Sequence, residues 1–360
     1  MKKILTPFLT ICLVLPLFAQ RGVISIPDLK GFVTLKCDFH MHTVFSDGAV
    51  WPTVRVDEAF REGLDAISIT DHVEAQPKKD DIPTAHNRAH ELCEDLAQRR
   101  GVILIRGAEV AWDYIDRNHI GHHNAIFLTD ADKLEPNPRD DPDHRESLGI
   151  AKAQGAFIFW NHPGYSESVW TDTQTELLEM GLMHGIEVAN GGAYYPNVHR
   201  WCIEKNLTMI GNSDIHAPMA PFTDGKHRTM TLVFATERTP EAIHEALKAR
   251  RTAVYWGEYV IGDEKYLKEL FEAALKWRVR KTDTHATITL TNTSDLTFNL
   301  KRAAPDASMH YPRDLTVGPK STKTFTVRFL EKGVDGGALN FIVDNFLTQP
   351  NIGMNYSKEI

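Results

Sequence analysis

The chain has 360 residues, 42% hydrophobic and 24% charged, with a formal net charge of -8 and an isoelectric point near 6.1. Composition of this kind is ordinary for a globular protein, and the length allows one large domain with a smaller one beside it. The acidic balance argues against a nucleic-acid scaffold held by a basic face, because such binding rests on many phosphate contacts.

Residues 1 to about 19 carry Lys2 and Lys3, then an apolar run from Ile4 to Phe18 broken by Pro7 and Pro16, then Ala19. Charge, apolar run and small residue in that order predict a cleaved secretory signal peptide. The run is short for a membrane span and holds two prolines. Cys12 lies inside it with no small residue before it, which does not suit lipid attachment. Export places the protein in the periplasm or outside the cell. It leaves Cys37, Cys93 and Cys202, an odd set without paired spacing. We therefore expect buried free thiols, not a disulfide framework. No later stretch reads as a transmembrane segment.

Strands are expected near 33–42, 66–71, 102–110, 123–129, 156–161, 185–190, 207–212 and 229–235, with helical segments between them. The helix over 54–63 places Val56, Ala59 and Phe60 on one face. That over 86–100 stops at Gly101, and that over 241–250 follows Thr239-Pro240, an N-cap residue and a first-turn proline. The acidic, proline-rich loop 130–144 belongs on the surface, where it borders the strand ends. From about Asp283 the texture changes. Alternation over 286–292, 322–329 and 339–343, with turn residues between, predicts a small antiparallel sheet or sandwich without a catalytic constellation.

Chemistry gathers at the strand ends. Cys37 to Gly48 reads C-D-F-H-M-H-T-V-F-S-D-G. Residues two apart on an extended strand share a face, so His40 and His42 project together and Cys37 projects away. Asp47 follows in a Ser-Asp-Gly turn, and Asp71-His72 close the second strand. Glu109 ends the third, Gly-His-His-Asn opens the fourth, Asn-His-Pro ends the fifth, Asn190 ends the sixth, and Asp214 and His216 follow the seventh. Active sites of parallel α/β folds lie at such strand ends. Imidazole and carboxylate ligands suit Zn, Mn or Fe, and this many donors suit more than one ion.

The ordered motifs H-x-H-T-x-F-S-D-G, T-D-H, a solitary Glu, G-H-x-N-A, N-H-P and S-D-x-H, over roughly Val33 to Gly257, resemble the PHP (polymerase and histidinol phosphatase) superfamily. The nearest likeness is to its secreted bacterial phosphodiesterases. The resemblance implies a distorted (β/α)7 TIM-like barrel over 20–282, followed by a small all-β domain over 283–360. It implies a trinuclear metal centre that hydrolyses phosphoesters. The first ion takes His40, His42, Glu109 and Asp214. The second takes Glu109, as a bridge, with His122 and His162. The third takes Asp47, His72 and His216. Glu109, Asp214 and His216 are the catalytic candidates, acting with a metal-bridging hydroxide on a small phosphodiester. No stable nucleic-acid partner is expected. The alternatives are a phosphomonoester on the same fold, a non-phosphate metallohydrolase such as an amidase or lactonase, and last a metal-storing or carbohydrate-binding protein without turnover.

Around these ligands the expectations are finer. The G-H-x-N-A frame favours His122 over His123. Asp71 orients the ligand beside it. Glu187 and Asn190 orient water or substrate, or Glu187 packs the barrel. His119 and His144 are solvated, and His199 is surface or packing. Arg117, Lys79, Arg228 and His227 are candidate phosphate contacts or plain surface charge, and Trp160, Tyr194 and Tyr195 border a cleft or pack the barrel. The signal-peptide reading has a direct check. The exported protein should begin near Gln20 by N-terminal mass spectrometry, and an intact Met1 in a cytoplasmic fraction would overturn it.

Overall fold

The structure is a computed structural model that describes residues 20–82, 85–111, 121–134, 145–163, 169–220, 226–305, 307–330 and 335–360. Its first elements are β1 (Val33–Asp38), α1 (Pro52–Glu62), β2 (Ala66–Ile69), α2 (Arg88–Arg100) and β3 (Ile103–Val110). Then come β4 (His123–Ile126), α3 (Arg145–Ala153), β5 (Phe157–Trp160), α4 (Asp172–Glu179), β6 (Gly185–Asn190) and β7 (Ala193–Tyr194). α5 (Pro196–Glu204), β8 (Thr208–Asn212), β9 (Met230–Ala235), α6 (Pro240–Lys248), β10 (Thr252–Trp256), β11 (Tyr259–Gly262) and α7 (Glu264–Ala274) follow.

Local chemistry explains the helix limits. α1 opens on Pro52 and stops at Gly63, whose φ of 81° suits a residue without a Cβ. α6 starts where the Thr239 hydroxyl accepts the Ala242 N–H at 3.2 Å.

The barrel is distorted in a defined way. β1, β2 and β3 run parallel, as do β5, β6 and β8, but β4 pairs antiparallel with both β3 and β5. β9 runs antiparallel to β1, and β10 antiparallel to β9. Side-chain hydroxyls tie β8 to its neighbours. The Thr231 hydroxyl accepts the Gly211 N–H and donates to the Gly211 carbonyl, at 3.0 and 2.8 Å. Gly211 has to be glycine there, because a Cβ would fall 2.3 Å from a Val254 methyl.

The C-terminal strands are β12 (Leu275–Lys281), β13 (His285–Asn292), β14 (Phe298–Arg302), β15 (Met309–His310), β16 (Asp314–Val317), β17 (Thr322–Phe329), β18 (Ala338–Gln349) and β19 (Ile352–Glu359). β12, β13, β17 and β15 form one antiparallel sheet. The expected change of texture lay near Asp283, whereas β12 already pairs with β13 upstream of it. The other strands continue the barrel's own sheet, since β11 pairs in parallel with β18, Val260 opposite Phe346 and Ile261 opposite Leu347.

One apolar cluster therefore spans both regions, from Val56 and Ile67 through Phe271 to Phe298, Phe341 and Phe346. A second fills the wall behind β4, β5 and β6. A third, with Leu35, Cys37, Phe39, Phe157 and Phe159, is closed by Ile243 and Leu247 of α6. Cys37 thus stands among apolar side chains, and Cys37, Cys93 and Cys202 are free and buried. Among the described residues no helix is long and apolar enough to cross a membrane.

Phe271 is fully buried, with ring centroids 5.2 Å from Phe298 and 4.6 Å from Tyr356. Phe271→Ala should therefore cost about 3–5 kcal/mol of stability, measured by denaturant unfolding. A loss under about 1 kcal/mol would show that the shared cluster carries little of the fold, since even one buried methylene is worth nearly that.

Candidate metal centre

Backbone pairing does not stop where the strands do. Past β1 and β8, Asp214 donates its N–H to the His40 carbonyl at 2.9 Å, and His42 donates to Ile215 at 3.0 Å. Past β2, whose extension pairs with the end of β3, Glu109 donates to Asp71 at 3.1 Å and Val73 to Glu109 at 2.9 Å, which sets His72 beside Glu109. Past β4 and β5, Asn161 donates to the His122 carbonyl at 2.8 Å.

These extensions bring together all nine residues singled out in the sequence as ligands. His40, His42 and Glu109 form one group, His40, His162 and Asp214 another, His72, Glu109 and His122 a third, and His42, Asp47, His72 and His216 a fourth. The groups overlap more than the assignment by family pattern, with His40, His42 and His72 each belonging to two. Glu109 turns its oxygens to different sides. Oε2 lies 3.0 Å from His40 Nε2 and 3.1 Å from His42 Nε2, while Oε1 lies 2.9 Å from His122 Nδ1 and 3.7 Å from His162 Nε2. His216 Nε2 is 3.1 Å from Asp47 Oδ2. His123 points elsewhere, its Nδ1 3.1 Å from the Gly121 carbonyl and its ring stacked on Trp160.

The donors around the ligands are largely residues that the motifs contain but the sequence reading did not use. Asn161 Nδ2 bonds Glu109 Oε1 and Asn124 Oδ1, both at 2.9 Å. Asn212 accepts the Phe39 N–H at 2.8 Å. These asparagines stand in N-H-P, G-H-x-N-A and G-N-S-D, so their recurrence at strand ends was the available signal. Asp71 bonds Thr43 and Ser46 and so shapes the turn that presents Asp47, and it is Glu74 whose Oε1 lies 3.0 Å from His72 Nδ1. Lys78 clamps the same turn through the Ser46 and Gly48 carbonyls, each at 2.9 Å.

Arg55 gave no sequence signal beyond its charge. It is fully buried and spends its guanidinium on Glu58 and on the carbonyls of His42, Ile215, His216 and Ala217 at 2.7 to 3.0 Å. One side chain of α1 thus fixes both seam segments.

Charge is balanced inside the cluster. Burial opposes the charged form of His40, but Asp214, Glu109 and Glu187 outweigh it and hold its pKa well above the usual histidine value. Burial would raise the Glu109 and Asp214 carboxyls, yet the histidines around them hold both well below the carboxylate range. Asp47 is depressed in the same way, burial being outweighed by His216, His42 and His72.

The donor set fits divalent cations. Asp214 Oδ1 is buried and accepts no hydrogen bond among the described residues, although His40 Nε2 and His42 Nε2 each lie 3.2 Å away. A buried carboxylate oxygen without a hydrogen bond is costly unless a positive group meets it. Ligand atoms on a metal with bonds of about 2.0–2.1 Å stand about 3.0–3.4 Å from one another, the spacing that Asp214 Oδ1 and Glu109 Oε2 keep from His40 Nε2 and His42 Nε2, at 3.0 to 3.2 Å.

Several expectations are corrected. Glu187 meets neither water nor substrate, since four protein donors use it. Arg228 is buried between Asp38 and Glu62 and is no phosphate contact. His227 stacks on Tyr255 and bonds the Gly257 carbonyl. Trp160 is 6% exposed and stacks on Trp201, and Tyr194 bonds His199, which is buried, so both pack the wall. Lys79 is exposed. Arg117, His119, His144 and the loop beyond Leu134 lie outside the described residues.

A distorted barrel with converging His, Asp and Glu at its strand ends defines a metal-dependent hydrolase. The chain belongs to the PHP domain family, whose description matches residues 38–262, and residues 273–358 match an Ig-like domain. It is similar over 95% of its length, at 46% identity and TM-score 0.90, to a two-domain protein from Bacteroides vulgatus containing a predicted PHP-like metal-dependent phosphoesterase, 99% of which is covered. A protein from Bifidobacterium adolescentis described as a putative metal-dependent phosphoesterase shares 16% identity over 59% of this chain and 96% of that one, with TM-score 0.41. No curated protein matches. The two domain matches and the likeness to the Bacteroides vulgatus protein make this chain a PHP-like metal-dependent phosphoesterase with a β-rich C-terminal domain.

Two predictions follow from the geometry. Arg55→Met should destabilise the protein by about 3–5 kcal/mol, because Glu58 and four carbonyls lose their donor, and a melt within about 1 kcal/mol of wild type would refute the clamp. Glu109→Gln should lower kcat/KM by more than about tenfold, or ~1.4 kcal/mol in barrier. A smaller loss would remove Glu109 from between the groups.

Proposed function

We propose that the protein is an exported phosphodiesterase working at a centre of three divalent ions, Mn, Zn or Fe. One observation carries the reading. Glu109 presents its two oxygens to different imidazole groups, while Asp47, His72 and His216 gather beside them. Overlapping groups of this kind supply more donors than one tetrahedral ion uses. His40, His42, Glu109 and Asp214 would hold one ion, Glu109, His122 and His162 a second, and Asp47, His72 and His216 a third. When bound, divalent ions supply charge that neutralises phosphoryl oxygens and lowers the pKa of water toward neutrality.

The chain's own residues set access and spacing. His40, His42 and Glu109 are fully buried, whereas the Asp47 and His216 side chains are each 40% exposed. An ester therefore approaches past Asp47 and His216, with Glu109 at the closed end keeping the groups apart.

Charge supports a diester. Among the described residues, the basic side chains that reach the ligand segments are already engaged. Arg55 and Lys78 hold carbonyls, and Arg228 is paired with Asp38 and Glu62. A monoester dianion calls for an additional cation, and a singly charged diester does not. The Lys-led apolar segment at residues 1–19 supports export.

The test compares bis-p-nitrophenyl phosphate with p-nitrophenyl phosphate on one preparation whose metal content is measured. We expect a higher kcat/KM on the bis-ester and roughly two to three ions per chain, falling by about one in Asp47→Ala. Hydrolysis of the monoester alone would reassign the protein as a phosphatase. One ion per chain, unchanged in Asp47→Ala, would remove the third site.

A further inference from the structure

Glu187 lies in the middle of β6 and is fully buried. Its Oε1 accepts from His40 Nδ1 and Asn212 Nδ2, both at 2.9 Å. Its Oε2 accepts from the His162 backbone N–H and from Asn190 Nδ2, both at 2.7 Å. An ionised carboxylate is an acceptor only, with about four lone-pair sites. All are used, so the side chain has a fixed orientation and no capacity left for a ligand.

Two of those four donors belong to residues assigned to different metals. An imidazole that donates through Nδ1 keeps its lone pair on Nε2. His40 Nε2 is the atom that faces His42 Nε2 at 3.1 Å, Glu109 Oε2 at 3.0 Å and Asp214 Oδ1 at 3.2 Å. His162 has φ of 26°, a conformation L-residues rarely adopt. The bond from its N–H to Glu187 opposes relaxation of that peptide and so holds the ring near Glu109 and Asp214.

We propose that Glu187 is a positioning residue that couples two metal sites, selecting the His40 tautomer with one oxygen and seating the His162 peptide with the other. The inference rests on the metal-centre reading above but not on the identity of the ester.

Glu187→Gln keeps the shape and replaces one acceptor by a donor. With the amide nitrogen toward His40, two donors meet, and His40 relieves the clash only by moving its proton to Nε2. With the nitrogen toward His162, it meets a backbone proton that cannot move, and the peptide shifts. Either orientation costs one site a ligand.

The test uses the mature full-length chain loaded with Zn. Ring nitrogens are read by long-range proton–nitrogen correlation, with His40→Gln for assignment. We expect wild-type His40 as the Nδ1–H tautomer with a slowly exchanging ring proton. In Glu187→Gln that signal should be lost or moved to Nε2–H where the amide nitrogen faces His40; where it faces His162 the signal stays and the loss shows in the Zn affinity alone. The dissociation constants for Zn should rise roughly 10- to 100-fold, the usual effect of removing such a partner, and excess Zn should restore most of kcat. Wild-type His40 protonated on Nε2 would overturn the proposal, and so would Zn affinities in Glu187→Gln within about twofold of wild type. If Glu187→Gln does not fold, the wild-type tautomer alone decides. The tautomer and the Zn affinities are read without substrate, so a chain that passes both and cleaves neither nitrophenyl ester refutes the diesterase reading and leaves this one standing.

Discussion

The centre depends on backbone hydrogen bonds that continue past the ends of the strands. His40 opposite Asp214 and His72 opposite Glu109 are held by main-chain pairing, before any side chain contributes. Such pairing fixes alternation and register together, so a slip of one residue would turn every ligand to the wrong face. The seam between β1 and β8 matters most. There the barrel is closed by short extensions, His40 with Asp214 and His42 with Ile215, so the closure and the ligands occupy the same few residues, while the Thr231 hydroxyl ties β9 to β8 alongside.

The second constraint is charge. Carboxylates and imidazoles crowd together because each lowers the cost of burying the other. The mutual pull is visible in His40, raised, and Glu109, depressed. The bases outside the cluster take the opposite role. Arg55 and Arg228 face protein oxygens, so the positive charge is spent on holding the scaffold and the space above Asp47 is left to the ions.

The parts legible in the sequence are those governed by short-range pattern. Apolar runs ending in His, Asp or Glu marked the strands, and the strand over 322–329 matches β17 residue for residue. The spacing of His40 and His42, and the frame around His122, placed those rings on the side where they are found. Arg55 was not legible in that way, and Glu187 only in part, since its strand-end place suggests a role toward water or substrate, or barrel packing, but not its partners. Those partners lie far away in sequence, Ala217 and Ile215 for the first, His40 and Asn212 for the second, and a lone charge does not name them until the fold closes over it. Arg228 shows the same limit from the other side, since a basic residue near a ligand motif suggests phosphate contact but meets Asp38 and Glu62 instead.

The parallel pairing of β11 with β18 has a bearing on inheritance. Val260 opposite Phe346 and Ile261 opposite Leu347 make the C-terminal region the next strand of the barrel's sheet. A region joined in this way is not readily exchanged by recombination, because a donor would have to bring an edge strand of matching direction, length and register. Duplication or transfer of the catalytic segment alone would expose the β11 edge and the Phe271 face as a surface prone to self-association. The two regions are therefore expected to travel through evolution as one cassette, and to tolerate insertion in their outer turns sooner than at the strand they share.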